Sequence, residues 1–137
     1  MTQEDKELLL KDLSARLPYV VMCDRLGVAR KVLSINQNKT ECIELDRGEY
    51  MPAWYNLEEV KPYLRPMSSM TEKECIELGN ISATMENLEE HIPNVPYYIE
   101  IALPEQIDWL NAHHFDFHNL IDKGLAIEVT KENNPYV

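Results

Sequence analysis

The hydrophobic residues at the start of the chain follow the spacing of one helix face. Four leucines recur there at intervals of one, three and four residues: Leu9, Leu10, Leu13 and Leu17. Thr2, with Asp5 three positions later, has the pattern of an N-terminal capping box, and Pro18 disfavours helical geometry in the residue before it. The pattern therefore predicts an amphipathic helix, whose apolar stripe must pack on the rest of the protein because so short a helix is marginal alone.

After Pro18 the apolar residues come in short runs separated by turn residues, which is typical of β-strands. Arg47-Gly48 predicts a hairpin turn, because glycine adopts positive φ without steric cost. NLEEV (56–60) predicts a single helical turn before the last run. The predicted extended runs are YVVMC (19–23), VARKVLSI (28–35), TECIELD (40–46), EYMPAWY (49–55) and KPYLRP (61–66).

Helical and extended patterns also alternate in the second half of the chain. Thr71 and Glu74 form another capping-box pattern, and Pro104 suits the first turn of a later helix. The polar stretch KENNPYV (131–137) predicts a loose tail. The other predicted elements are helices at 71–79, 81–92 and 104–113, a helical turn at 119–123, and strands at 97–103 and 125–129.

These patterns predict an α+β protein, with a helix and a small barrel in residues 1–66 and an α+β extension in residues 67–137. The run from VARKVLSINQNKTECIELDRGEYMP through WYNLEEVKPYL resembles the strand order of SH3-like and Tudor-like barrels. That resemblance, over residues 19–66, implies a module that binds peptides, nucleic acids or other proteins. The linker RPMSS (65–69) is short, so we expect the halves to fold as one unit. The apolar residues expected to cover the first half are Ile99, Ile101, Leu103, Ile107 and Leu110.

The charge of −11 is concentrated in the second half of the chain. Residues 1–66 hold 11 acidic and 10 basic residues, whereas residues 67–137 hold 13 acidic and 3 basic residues. Because counter-ion release on phosphates needs clustered Lys and Arg, we expect no nucleic acid among the partners. Such an acidic surface is ordinarily a solvated face. The alternative is a nucleic-acid mimic whose carboxylates occupy a DNA-binding partner, which requires them to line one continuous face.

The cysteines and the N-terminus indicate a cytoplasmic protein with no membrane partner. Cys23, Cys42 and Cys75 are odd in number and form no CxxC pair, so we expect buried free thiols in a reducing compartment. The first residues are charged and lack the layout of a signal peptide. No apolar run approaches the ~20 residues that cross a bilayer.

HHFDFH (113–118) holds three of the four histidines. His114 and His118 could share a metal only on a continuous helix, and the alternating phenylalanines between them indicate that the helix ends there. His113 and His114 would point ~100° apart on a helix. The stretch is therefore predicted to have a structural role and to bind no metal. A metal-dependent enzyme at these three histidines is the alternative, and it requires their rings to converge.

The chain contains no sequence signature of an enzyme. With four glycines, it has neither GxGxxG nor GxxxxGK[ST] for a phosphate, and it has no GxSxG nucleophile elbow. We therefore expect no catalytic residue and no cofactor.

Four aromatic residues of the strand runs are the candidate binding residues: Tyr50, Trp54, Tyr55 and Tyr63. In SH3-like and Tudor-like barrels, comparable aromatics form a peptide groove or a cage for a methylated cation. The neighbouring runs 28–35 and 40–46 supply no aromatic pair for a cage. Membership of the core is the alternative, because aromatics dominate small cores.

Two further stretches resemble small uncharacterised proteins of anaerobic gut bacteria and their prophages. They are KPYLRPMSSMTEKE and DWLNAHHFDFHNLIDKGLAIE. The resemblance implies no activity. The sequence predicts a non-catalytic module that binds another protein, and the resemblance implies a link to a prophage or mobile element.

Overall fold

The computed structural model describes residues 1–48, 52–80 and 104–137, and within them the fold is α+β, as predicted. Two 3₁₀ helices flank the fifth strand, at Leu57–Glu59 and Met67–Ser69. The helices and strands are α1 (Gln3–Arg16), β1 (Met22–Arg25), β2 (Val28–Ile35), β3 (Ile43–Leu45), β4 (Ala53–Tyr55), β5 (Lys61–Pro66), α2 (Glu72–Asn80), α3 (Pro104–Ala112), β6 (Phe115–Asp116) and β7 (Ile127–Glu128).

Both predicted capping boxes are confirmed. The Thr2 hydroxyl accepts a hydrogen bond from Asp5 N at 3.1 Å, and the Asp5 carboxylate accepts one from Thr2 N at 3.3 Å. Thr71 and Glu74 make the same reciprocal pair at 3.2 and 3.0 Å. Each pair satisfies N–H groups that the first turn of a helix cannot bond internally, so these residues determine where α1 and α2 begin.

The strands form one sheet in the order β4-β3-β2-β1-β5-β6, and β7 also pairs with β5. Neighbours from β4 to β5 are antiparallel, whereas β6 and β7 run parallel to β5. The register between β2 and β3 shifts between Val32 and Ser34. Among the described strands, β4 and β6 are the two ends of an open path. The closed SH3-like barrel predicted from the sequence is therefore not confirmed.

The main core lies between α1 and the sheet and draws on both halves of the chain. Leu9 and Leu13 of α1 are fully buried in the same cluster as Leu120, Leu125 and Ala126. A second cluster joins α2 to α3 and β6, and its buried members are Met67, Met70, Cys75, Leu78, Leu110 and Phe115. The three cysteines are buried, as predicted.

The prediction of a loose C-terminal tail is wrong. The Tyr136 hydroxyl accepts a hydrogen bond from Met22 N at 3.1 Å and donates one to Tyr63 O at 2.8 Å. One side chain thereby bridges backbone groups of β1 and β5. Its ring also stacks on His114 with the centroids 3.5 Å apart. The tail is held because a buried backbone N–H and C=O both need a partner, and Tyr136 supplies both.

Several predictions concern residues that the structure does not describe. The helix predicted at 81–92 and the strand predicted at 97–103 lie outside the described residues, and so do Ile99, Ile101 and Leu103. Ile107 and Leu110, also expected to cover the first half, pack in the second cluster instead. Within the described ranges, no helix combines the length and the apolar character that crossing a bilayer requires.

Candidate functional site

Trp54 and Tyr55 are consecutive residues of β4, so their side chains point to opposite faces of the sheet. Tyr55 packs against the main core, and the Arg25 guanidinium lies over its ring, 4.5 Å from the centroid. Trp54 lies opposite Glu44 of β3, on the face turned away from the core. Of these two candidate binding residues, Trp54 is therefore the one directed away from the main core.

Tyr63 is placed apart from Trp54, on β5. Its side chain is buried, and its hydroxyl donates a hydrogen bond to Asp24 Oδ1 at 3.1 Å. Burial and the neighbouring Asp24 carboxylate both raise the pKa of the Tyr63 hydroxyl. Tyr50 lies outside the described residues. The described aromatics thus form no common cage, and Tyr63 acts in the packing of the sheet.

A groove of about 350 Å³ lies between α1, the β2–β3 connection and the turn before β5. Its floor is apolar and consists of Leu10, Cys42 and Leu57, of which the last two are buried. Gln37, Lys39 and Thr40 form one wall. The other polar lining residues are Gln3, Lys6, Glu7, Asn56 and Glu58.

Charges of both signs lie along the rim of this groove. Lys6 Nζ is 2.9 Å from the Glu58 carboxylate, and this hydrogen bond and charge lower the pKa of Glu58. Lys39 Nζ lies 5.4 Å from the centre of the Trp54 ring. Because Lys39 also lines the groove, it connects the groove to the outward face of β4. The groove was not predicted, since its walls come from three segments that are distant in sequence.

The histidines of HHFDFH contact different parts of the protein. His113 Nδ1 is 2.8 Å from the carbonyl oxygen of Trp109, and its ring stacks on the Trp109 side chain. His114 stacks on Tyr136, whereas His118 points towards α1. In the described part of the chain, no three His, Cys, Asp or Glu side chains are placed to hold one metal ion.

His118 belongs to a buried cluster of charges that the sequence did not predict. Asp12 accepts hydrogen bonds from Arg16 Nε at 2.6 Å and Nη2 at 3.2 Å, and it lies 2.7 Å from His118 Nδ1. An ionised carboxylate only accepts, so Nδ1 of His118 carries the proton. Arg16 Nη2 also donates to the Phe115 carbonyl oxygen. The cluster therefore links α1 to the segment that contains β6.

The charge of Asp12 is stabilised although its carboxylate is fully buried. Burial by itself raises the pKa of Asp12. The hydrogen bonds from His118 and Arg16 and the Arg16 charge outweigh burial, so the pKa of Asp12 lies below its ordinary value. The same cluster leaves Arg16 Nη1 buried without a hydrogen-bond partner among the described residues.

His114 should make the protein sensitive to mild acid. Burial, followed by the positive charges of Arg16, His113 and Arg65, lowers the pKa of His114 from 6.5 to about 4. The unfolded chain takes up this proton first, so stability is lost as the pH falls from about 6.5 towards 4. We expect the free energy of unfolding to fall by about 1–2 kcal/mol between pH 7 and pH 5. Denaturant unfolding at several pH values measures this change.

His114→Asn should remove most of that pH dependence. Asparagine tolerates the positive φ of 67° at this position and does not titrate. Glu74→Gln is the control, because the hydrogen bonds from Arg65 lower the pKa of Glu74 to about 2. The contribution of Glu74 to the free energy of unfolding is therefore fully present above pH 4.5 and is lost as the pH falls below it. If the free energy of unfolding of His114→Asn still falls between pH 7 and pH 5 as steeply as that of the unmodified protein, His114 is not the cause of the pH dependence.

Comparison with protein-family models, with curated proteins and with solved structures finds no match to this chain, so the resemblances drawn from its sequence stay predictions.

Proposed function

We propose that the protein is a cytoplasmic, non-catalytic interaction module that binds a segment of another protein in the groove along α1. The observation that carries the proposal is the combination of an apolar floor, at Leu10, Cys42 and Leu57, with a polar and charged rim. Protein–protein interfaces are built in this way, with an apolar centre that excludes water and a polar rim.

Trp54 supports a protein partner for the groove. Tryptophan is enriched among the residues that carry most of the binding energy at interfaces. Trp54 is half-buried, faces away from the core and is covered by the flexible Lys39 side chain. Since Lys39 lines the groove, a partner segment lying there would reach the indole when Lys39 turns aside. Trp54 is thus the member of the predicted aromatic set that we assign to binding.

Mixed charge on the rim favours an uncharged or mixed-charge segment. Lys6 and Glu58 already neutralise each other at 2.9 Å. Glu7 of α1 and Lys39 of the β2–β3 connection both line this groove. A partner side chain in the groove would gain roughly 25 cal/mol of binding free energy for each Å² of apolar surface that it buries. A link to a prophage or mobile element is also proposed, supported by the resemblance of the two stretches quoted above.

Filling the groove should weaken binding while the fold is kept. Peptides selected from a displayed random library against the immobilised full chain serve as probes. Thr40→Trp places an indole on the groove wall at an exposed position, and we expect selected peptides to bind it at least ~10-fold more weakly, a loss of about 1.4 kcal/mol. Fluorescence anisotropy measures the affinities.

Glu41→Trp is the matched control for this test. It introduces the same side chain at the next exposed position, which does not line the groove, and should leave the affinity unchanged. Equal binding of the peptides by Thr40→Trp and by the unmodified chain would show that the groove is not the binding site.

A further inference from the structure

Residues 130–137 follow β7 and begin with an exposed turn. Asn133 Oδ1 accepts hydrogen bonds from Thr130 N at 2.6 Å and from Thr130 Oγ1 at 3.0 Å. Asn133 Nδ2 donates to the carbonyl oxygen of Glu128, where the segment leaves the sheet. Residues 130–133 are exposed. These bonds shape the turn locally, so they can persist when the rest of the segment moves.

Tyr136 fastens this segment to the body of the protein. Its ring stacks on His114 with the centroids 3.5 Å apart. Its hydroxyl accepts a hydrogen bond from Met22 N and donates one to Tyr63 O. In the described part of the chain, Tyr136 alone makes the hydrogen bonds and ring contacts that join residues 130–137 to β1, to β5 and to the turn after α3.

The hydroxyl of Tyr136 occupies a fork between two strands. Pairing of β1 with β5 ends at Cys23, which lies opposite Pro62. One step further along, Met22 N and Tyr63 O are bridged by the phenol oxygen rather than bonded to each other. Water can bond to both backbone groups once the hydroxyl leaves, so opening the fork leaves neither of them without a partner.

A cleft of about 290 Å³ lies where the segment meets the body of the protein. The segment contributes Asn134 and Tyr136 to its lining, and the body contributes Arg65, Ala112, His113 and His114. Protein interiors are close-packed, so a segment that borders open space forgoes part of the dispersion energy that holds packed elements together. The contact between residues 130–137 and the body is therefore concentrated at Tyr136.

We propose that residues 130–137 are a strap, which detaches from the body of the protein as one unit and is held closed by Tyr136. Opening breaks two hydrogen bonds and one ring contact. Both core clusters stay intact, because neither contains a described residue of the strap. Segments with few buried apolar contacts open well below the free energy of global unfolding.

The open strap exposes the cleft, together with Met22 N and Tyr63 O, to solvent. The cleft shares no lining residue with the groove along α1. The strap is therefore a conformational device that is separate from the binding groove proposed above, and it can be tested without a ligand of that groove.

Native-state amide hydrogen exchange of the full chain, followed by NMR, tests whether the strap opens by itself. Met22 N bonds to the strap, whereas Val32 N bonds to Val21 O at 2.9 Å within the same sheet. After correction for intrinsic rates, we expect Met22 to exchange at least ~10-fold faster than Val32, through an opening that low urea concentrations do not accelerate. Equal protection of the two amides would overturn the proposal, because the segment would then open only with the whole protein.

Proteolysis tests whether Tyr136 is the latch. Lys131 is exposed and lies within the strap, so a lysine-specific protease reports on it. Cleavage needs a freely accessible stretch of chain and follows the population of the open form. Tyr136→Phe keeps the ring and removes both hydrogen bonds of the hydroxyl. We expect cleavage after Lys131, measured as an initial rate by mass spectrometry, to become at least ~10-fold faster.

Tyr63→Phe is the matched control for the latch. It also removes a hydrogen-bonded tyrosine hydroxyl from the sheet, the one that donates to Asp24 at 3.1 Å, but it leaves the backbone oxygen that Tyr136 uses. Cleavage after Lys131 should therefore stay at the rate of the unmodified chain, although both variants lose some thermal stability. If Tyr136→Phe is cut no faster than Tyr63→Phe, Tyr136 does not hold the strap and the proposal is wrong.

Discussion

Replacing Arg16 by methionine is expected to lower the free energy of unfolding by about 3–5 kcal/mol. The Asp12 carboxylate is fully buried, and the Arg16 side chain is 1% exposed. Without the guanidinium, Asp12 loses two hydrogen bonds and its compensating charge. It would then have to stay ionised in an apolar core or take up a proton. Urea unfolding at pH 7, followed by circular dichroism, measures the loss.

A double variant separates the ion pair from the packing around it. In Asp12→Leu combined with Arg16→Met no buried charge is left unpaired, so we expect most of the lost stability to return. Removing the exposed Lys6–Glu58 pair is the matched control, because water screens it, and this change should move the unfolding midpoint little. If the double variant is as unstable as Arg16→Met alone, unpaired charge is not the cause.

The buried cluster also determines how distant parts of the chain meet. Asp12 and His118 are separated by 106 positions, and Arg16 and Phe115 by 99. A hydrophobic contact tolerates sliding, whereas these hydrogen bonds require one alignment of α1 against β6. The cluster therefore specifies the register between the N-terminal helix and the second half, in addition to any stability that it contributes.

The sequence predicts correctly those helices and strands that are determined by residues only a few positions apart. The Thr2–Asp5 and Thr71–Glu74 boxes span three positions, and β2 has the bounds predicted from its β-branched residues at 28, 32 and 35. The predicted start of β1 is wrong, because the apolar run 19–23 does not show where strand pairing begins. The structure starts β1 at Met22 and puts the turn at Leu26-Gly27.

The sites could not be predicted in the same way, because their parts meet only after folding. The spacing of HHFDFH predicts a structural role for His118, but it does not reveal the partner, Asp12, which lies near the other end of the sequence. The polar composition of residues 131–137 predicts a loose tail, whereas the Tyr136 hydroxyl forms hydrogen bonds with backbone groups of two strands.

A fragment of residues 1–67 is expected to lose cooperative folding. The main core would lack Leu120, Leu125 and Ala126, which pack with Leu9 and Leu13 of α1. The strand β5 would also lose both of its parallel neighbours, β6 and β7. A chain of this length buries only ~60% of its unfolded surface, so it has little stability to lose. Thermal unfolding and the dispersion of amide signals in NMR spectra compare the fragment with the full chain.

Adding the missing part in trans distinguishes lost contacts from general damage. A synthetic peptide of residues 104–137 carries β6, β7, His118 and Tyr136, and we expect it to restore a cooperative transition to the fragment. The same peptide with His118→Ala and Tyr136→Phe should restore it less well, because the contacts to Asp12 and Met22 are then missing. If the fragment alone melts cooperatively at the temperature of the full chain, residues 1–67 form an independent domain and the shared core is not needed for folding.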